Sequence, residues 1–186
     1  MRCTHGVAAF FSHNYPATKV YGGKTLTLGG SKKIEKEGES AFSGDLSAIL
    51  IENTPVYFGS RRLPSTEIAL TPDFEQKVRR ICETTVGQDV RSFAGVPSWN
   101  LVMMNKILDY TGKNNILEVW PRMELFIHGG MNFKPYREQY RRIFPAVQMK
   151  YMETYNASEG FFSIADDPAR EDMLLMLDYG TFYEFL

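Results

Sequence analysis

Cysteine is scarce: Cys3 and Cys82 are the only two in 186 residues. They build no disulfide framework and no metal-ligand spacing, which fits a reducing compartment. The three histidines, His5, His13 and His128, are equally scattered and make no zinc-type set. No apolar run approaches the ~20 residues of a membrane span, and Met1–Arg2–Cys3–Thr4–His5 lacks the apolar core of a signal peptide. A cytoplasmic protein without a membrane partner is therefore expected. Net charge is only −1, so no basic surface argues for nucleic acid. The Gly-x-Ser-x-Gly elbow of α/β hydrolases is missing, and no glycine pattern opens a helix as a dinucleotide fold requires.

Aromatic residues are plentiful, with 13 Phe and 10 Tyr, and suit a packed interior or a planar ligand. A hydrophobic share of 44% against 23% charged residues is that of a globular chain with a substantial core. Val7, Phe10 and Phe11 share one face of a helix that Asn14–Tyr15–Pro16 stops. Lys24 to Leu28 alternates as a strand and runs into Gly29–Gly30–Ser31, a turn without the Lys-Ser/Thr ending of a Walker loop. Lys32 to Ser43 reads as an exposed loop, and a helix follows from Asp45 to about Glu52. Pro55 to Ser65 reads as a surface connection carrying the Arg61–Arg62 pair. Thr71–Pro72–Asp73 opens a helix with Thr71 as its capping hydroxyl; Phe74, Val78, Ile81 and Cys82 form its apolar stripe, and Gly87 ends it.

Further on, a strand at Val90 to Val96 leads into a helix from Pro97 to Gly112. Met123 to Ile127 is a buried strand running into His128–Gly129–Gly130, and a basic helix follows Lys134–Pro135. Strands are read at 149–155, Phe161 to Ile164, Met173 to Leu177 and Phe182 to Leu186. Strands and helices alternate in the middle and strands dominate the end. The expected class is α/β, a mixed sheet with flanking helices that is strand-rich at its C-terminal end.

The stretch Met149 to Gly160 organises this pattern. Its first half alternates as a half-buried strand, then breaks into Tyr155–Asn156–Ala157–Ser158–Glu159–Gly160. Open α/β sheets bind ligands at the carboxyl ends of their strands. There Glu159 offers a hard oxygen ligand for Mg²⁺, Ser158 a donor to phosphate and Tyr155 an aromatic face for a base. The plainer alternative is a strand-to-turn junction in which Ser158 caps the next element. A second turn, His128–Gly129–Gly130–Met131, ends the preceding strand. In a parallel β-α-β arrangement both turns emerge on one edge and line one crevice. His128 is the one histidine placed near that site, with a packed structural role as the alternative.

Gly95–Val96–Pro97–Ser98–Trp99, Phe126–Ile127–His128–Gly129–Gly130 and Tyr155 to Gly160 together resemble adenylate-forming enzymes. The closest likeness is to the auxin-responsive, Gretchen Hagen three family of acyl-acid amido synthetases in its bacterial form. Leu26 to Ser31, Gly44 to Ile49 and Leu177 to Phe185 are similar too, so the likeness runs in order along nearly the whole chain. The resemblance implies a two-step ligase: ATP activates a carboxylic acid as an acyl-adenylate, and an amino acid then attacks to give an amide. It implies ATP and Mg²⁺, with Glu159 as the magnesium-associated catalytic acid and Ser158 as the phosphate-facing hydroxyl. Tyr155 and Gly129–Gly130–Met131 become pocket walls, Gly160 belongs to the same nucleotide-binding turn, and Tyr183 lies in an aromatic segment near the nucleotide.

The family's Ser/Thr/Gly-rich phosphate loop and its ribose-holding Asp have no counterpart between Met1 and Leu186. Residues 1–186 are accordingly expected to be one incomplete domain, a fragment of the large N-terminal adenylating domain. The alternatives are a carboxylate-CoA ligase of the same superfamily and a self-standing, non-catalytic α/β binding domain.

Overall fold

The computed structural model describes residues 2–29, 35–37, 41–43, 46–54, 56–145 and 149–185. The first helix, α1 (Arg2–Asn14), leads through a 3₁₀ turn at Val20–Gly22 into β1 (Lys24–Thr27). A small hairpin, β2 (Glu35–Glu37) with β3 (Ala41–Ser43), precedes α2 (Leu46–Glu52), α3 (Val56–Gly59), β4 (Arg62–Leu63) and α4 (Thr66–Ala69). The central units are α5 (Phe74–Thr85), β5 (Val90–Gly95), α6 (Pro97–Thr111), α7 (Ile116–Val119) and β6 (Leu125–Gly129). After a 3₁₀ turn at Lys134–Tyr136 come α8 (Arg137–Ile143), β7 (Lys150–Ala157), β8 (Gly160–Ile164) and β9 (Leu174–Leu175).

Among the described residues the main sheet has seven strands in the order β4-β1-β5-β6-β7-β8-β9. From β4 to β7 every pair is parallel; β8 and β9 are antiparallel additions. This is the expected mixed sheet with flanking helices and a strand-rich end. Helical crossovers deliver β5, β6 and β7 side by side, so their carboxyl ends share one edge.

The sequence shows why the helices stop and start where they do. Pro97 sits in the first turn of α6, where its missing N–H costs nothing, and Gly112 closes it in the left-handed region at φ 66°. Asp73 caps α5 by accepting from the Gln76 N–H at 2.6 Å. The expected cap, Thr71, instead donates its hydroxyl to the Glu67 carbonyl at the end of α4. The Pro55 to Ser65 stretch also holds more order than a loop, since α3 and β4 lie within it.

The larger core cluster packs α5, α6 and α8 against one face of the sheet; Phe93, Phe126, Tyr140 and Phe144 stack through it. Burying each such ring contributes about 1.5–3 kcal/mol. On the opposite face Phe11 of α1 meets Leu125, Met152, Ile164 and Met176. A third cluster joins α2 and α4 through Ala48, Ile51, Ala69 and Leu70.

Two expectations fail here. Residues 181–185 form no strand, and Phe182 and Phe185 stay exposed. Aromatic content favours a strand only where a partner ladder exists, and β9 pairs with β8 alone among the described residues. Within Lys32 to Ser43, β2 and β3 pair antiparallel from Glu35–Ser43 to Glu37–Ala41, because backbone pairing needs no apolar alternation. Gly30, Ser31 and Asp45 lie outside the described residues.

Candidate functional site

The parallel strands end almost level. Gly95 of β5 pairs in register with His128 of β6, and Gly129 pairs with Thr154 of β7. Glycine is required at this edge for space and for conformation. A Cβ on Gly129 would fall well inside contact distance of the Thr154 carbonyl oxygen. Gly95 and Gly130 hold φ at +139° and +79°, where a side chain is strained. A Cβ on Gly95 would also lie 2.7 Å from Nδ2 of Asn100.

Asn100 is a residue that sequence reading passed over. It lies fully buried in the first turn of α6, donates from Nδ2 to the Val96 carbonyl at 3.1 Å, and leaves its Oδ1 without a partner. Its signal was an amide on a helix face otherwise filled by Leu101, Met104 and Ile107. Lys77 was also missed; it is buried on α5 and donates from Nζ to the Gly29 carbonyl at 3.1 Å, just beyond the end of β1.

The organising stretch is a β-hairpin. β7 runs two residues past the expected end at Tyr155, Ser158–Glu159 forms the turn, and Gly160 begins β8. The register shifts between Tyr155 and Asn156, an irregularity of the kind that re-aims side chains near sites. Tyr155 lies one residue beyond the Gly129 level. Ser158 is three residues further, and at ~3.3 Å per residue the hairpin tip stands about 10 Å past Tyr155. The two turns thus share one edge of the sheet, but the tip extends well beyond it.

Ser158 and Glu159 are exposed, and among the described residues neither has a hydrogen bond or ion pair from its side chain. Gly130 and Met131 are exposed as well. Tyr155 packs on Phe162 at 5.2 Å, and Phe162 meets Tyr183 edge-on at 6.5 Å. Tyr155 and Tyr183 therefore flank one ring of β8. The Tyr183 hydroxyl is buried without a partner, and Thr181 lies close enough that a Cβ on Gly160 would sit 3.0 Å from its hydroxyl. Among the described residues no group of three or more His, Cys, Asp and Glu is placed to hold a metal.

His128 is packed rather than open. It is 3% exposed and stacks on Phe133 at 4.3 Å. Burial, with a smaller push from Arg137, lowers its pKa to about 4, so the ring is neutral at pH 7. Beside it lies a cavity of about 450 Å³ that reaches from α8 round to the end of α1, whose lining includes Tyr15 and Lys150 as well as His128, Arg137, Tyr151 and Glu153, but none of the residues expected to hold a nucleotide.

A parallel core sheet with glycine-opened strand ends defines an α/β protein of the class that takes ligands at its carboxyl edge. The sequence model of the GH3 family N-terminal domain matches residues 7–149, and the chain belongs to the GH3 (Gretchen Hagen three) family. Its fold is similar to that of a solved GH3.15 acyl acid amido synthetase, with a TM-score of 0.66 at 12% identity. That likeness covers 92% of this chain and 40% of the other, so the chain spans about two fifths of its structural neighbour. No curated protein sequence matches it. Among the described residues no helix is long and apolar enough to cross a membrane.

Proposed function

We propose that the chain supplies the carboxyl-edge portion of the adenylating domain of an ATP-dependent acyl-acid amido synthetase. The observation that carries this reading is the shared edge, where glycine-opened strand ends at Gly95 and Gly129–Gly130 lie beside an aromatic-flanked hairpin tipped by Ser158–Glu159. Membership of the GH3 family and a fold shared with an acyl acid amido synthetase support it. The chain spans 40% of that neighbour; the same reading takes residues 1–186 as part of a larger adenylating protein, which carries the complete reaction.

Each part has a chemical task. The Cβ-free backbone at Gly129–Gly130 lets a planar base or ribose approach the sheet edge, and Met131 adds an exposed, adaptable apolar wall. Tyr155 offers a ring face to the base, with Phe162 and Tyr183 buttressing it. Ser158 donates to a phosphate oxygen. Glu159 is a single exposed carboxylate, which suits Mg²⁺ because that ion takes one or two carboxylates and fills its remaining positions with phosphates and water. Bound there, the ion would offset charge on the phosphates as the acid displaces pyrophosphate. A carboxylate resists nucleophiles; joined to AMP it carries a good leaving group, and an amine completes the amide.

Acid-dependent exchange of labelled pyrophosphate into ATP, measured on the full-length protein with a panel of carboxylic acids, tests this reading. Exchange with at least one acid is expected, and its absence with all of them rejects the proposal.

A further inference from the structure

Arg62, in β4, carries donors that the fold leaves unused. Its Nη2 donates to the Thr66 hydroxyl at 2.7 Å, while Nε and Nη1 are buried without a hydrogen-bond partner. Among the described residues it makes no ion pair. Arg80 and Arg91, by contrast, each hold a carboxylate at 2.8 Å. A guanidinium stays charged in a protein. Burial without a matching acceptor opposes that charge and lowers the Arg62 pKa. Such a group is costly unless an anion meets it.

A cavity of about 420 Å³ lies beside it, and Glu52, Ser60, Pro64, Ser65 and Thr66 are among the residues that line it with Arg62. β4 runs parallel to β1, with Leu63 opposite Leu26. Pro64 and Ser65 therefore leave the strand at the carboxyl edge of the sheet, where α/β folds take ligands. The Thr66 hydroxyl accepts from Arg62, and the Ser65 hydroxyl accepts from the Ile68 N–H at 3.5 Å. Accepting leaves the proton of each hydroxyl free to donate. Glu52 is the one opposing charge in the lining. It is exposed and engaged by another contact. Solvent screens it, whereas the buried guanidinium acts in a lower dielectric.

We propose that this cavity binds a small phosphate-bearing anion, its oxygens on the Arg62 guanidinium and the Ser65 and Thr66 hydroxyls. The donors come from β4 and from the start of α4, so they converge from more than one side. A tetrahedral phosphate has acceptors to match, while a planar carboxylate has only two oxygens. The volume exceeds what inorganic phosphate needs and leaves room for an organic group along Ile51 and Pro64. β4 stands three strands from β6 in the sheet, about 14 Å at the usual strand spacing. None of the residues expected to hold a nucleotide lines this cavity. The site is thus separate from the Gly129–Gly130 crevice and does not depend on the ligase reading.

Calorimetric titration of the 186-residue chain with inorganic phosphate, phenyl phosphate and glycerol phosphate tests the inference, with acetate as the carboxylate probe and ionic strength held constant. At least one phosphate binds saturably, tenfold or more tighter than acetate. A tighter ester supports an organic phosphate as the ligand, and inorganic phosphate bound as tightly supports the free anion. Arg62→Gln lowers the affinity tenfold or more. Thr66→Ala, a change at an exposed position, lowers it threefold or more and carries the test should Arg62→Gln fail to fold. Thermal unfolding of both variants checks that they remain folded. No saturable binding of any phosphate, acetate bound equally well, or unchanged affinity in the folded variants overturns the inference.

Discussion

Tyr140 donates its hydroxyl to the carbonyl oxygen of Pro97 at 2.8 Å. The bond ties α8, which follows β6, to the first turn of α6, which follows β5. It thereby fixes how two helices leave neighbouring strand ends. Burial raises the Tyr140 pKa, which keeps the hydroxyl protonated as a donor. Tyr140→Phe removes the bond and spares the ring, so a loss of about 0.5–1.5 kcal/mol is expected. Tyr140→Ala also empties a fully buried site and is expected to cost about 3–5 kcal/mol. Urea titration at constant m distinguishes the two; a Tyr140→Phe variant as stable as the parent would deny the hydrogen bond a part.

At the sheet edge, Gly129→Ala forces a methyl against the Thr154 backbone, which has no flexible side-chain end to move aside. A destabilisation of about 1–3 kcal/mol is expected, together with weaker nucleotide binding. A variant as stable as the parent in urea would show that β6 and β7 part freely here.

The buried His128 sets a pH dependence. Its folded pKa of about 4 lies below the ordinary 6.5, so between those values the unfolded chain takes up a proton that the folded chain refuses. Stability therefore falls as pH drops from about 6.5 to about 4, by about 3 kcal/mol in all. Glu153 works in the opposite sense. Burial raises its carboxyl, so just above the ordinary carboxylate range its contribution declines as pH rises. Urea midpoints from pH 7 to pH 4.5 are expected to drop steeply in the parent and more gently in His128→Gln. Parallel profiles would contradict a neutral buried ring.

The sheet was legible because its strands bury apolar side chains on two faces. Leu125, Phe126 and Met152 carried enough pattern to place β6 and β7 and to read them as parallel neighbours. The edge glycines were legible for the same reason, since Gly129–Gly130 directly follows a buried run. The Ser158–Glu159 hairpin was read only as a turn, because nothing in Tyr155 to Ala157 says that pairing with β8 continues there. The α8 cleft was not legible at all. Arg137, Glu153, Asp167 and Glu171 look like ordinary surface charges until β7, α8 and the β8–β9 connection meet. Phe182 to Leu186 misled for the converse reason: strand-like composition forms no strand without a neighbour to pair with.

Tyr155 is half exposed, at 51%, so Tyr155→Ala changes stability little while removing the stacking face. A loss of about 1–3 kcal/mol in nucleotide binding is expected, in line with base–aromatic stacking. Fluorescent ATP-analogue titration of the full-length protein measures it; unchanged affinity would place the base elsewhere.

Photo-crosslinking with an azido-ATP in the full-length protein, with Mg²⁺ and peptide mapping, tests the central claim most directly. The account predicts ATP-competed label within Gly129–Met131 and Tyr155–Gly160, together with a fall of about two orders of magnitude in pyrophosphate exchange for Glu159→Gln. Label confined to other segments, with exchange unchanged in Glu159→Gln at limiting Mg²⁺, would contradict it.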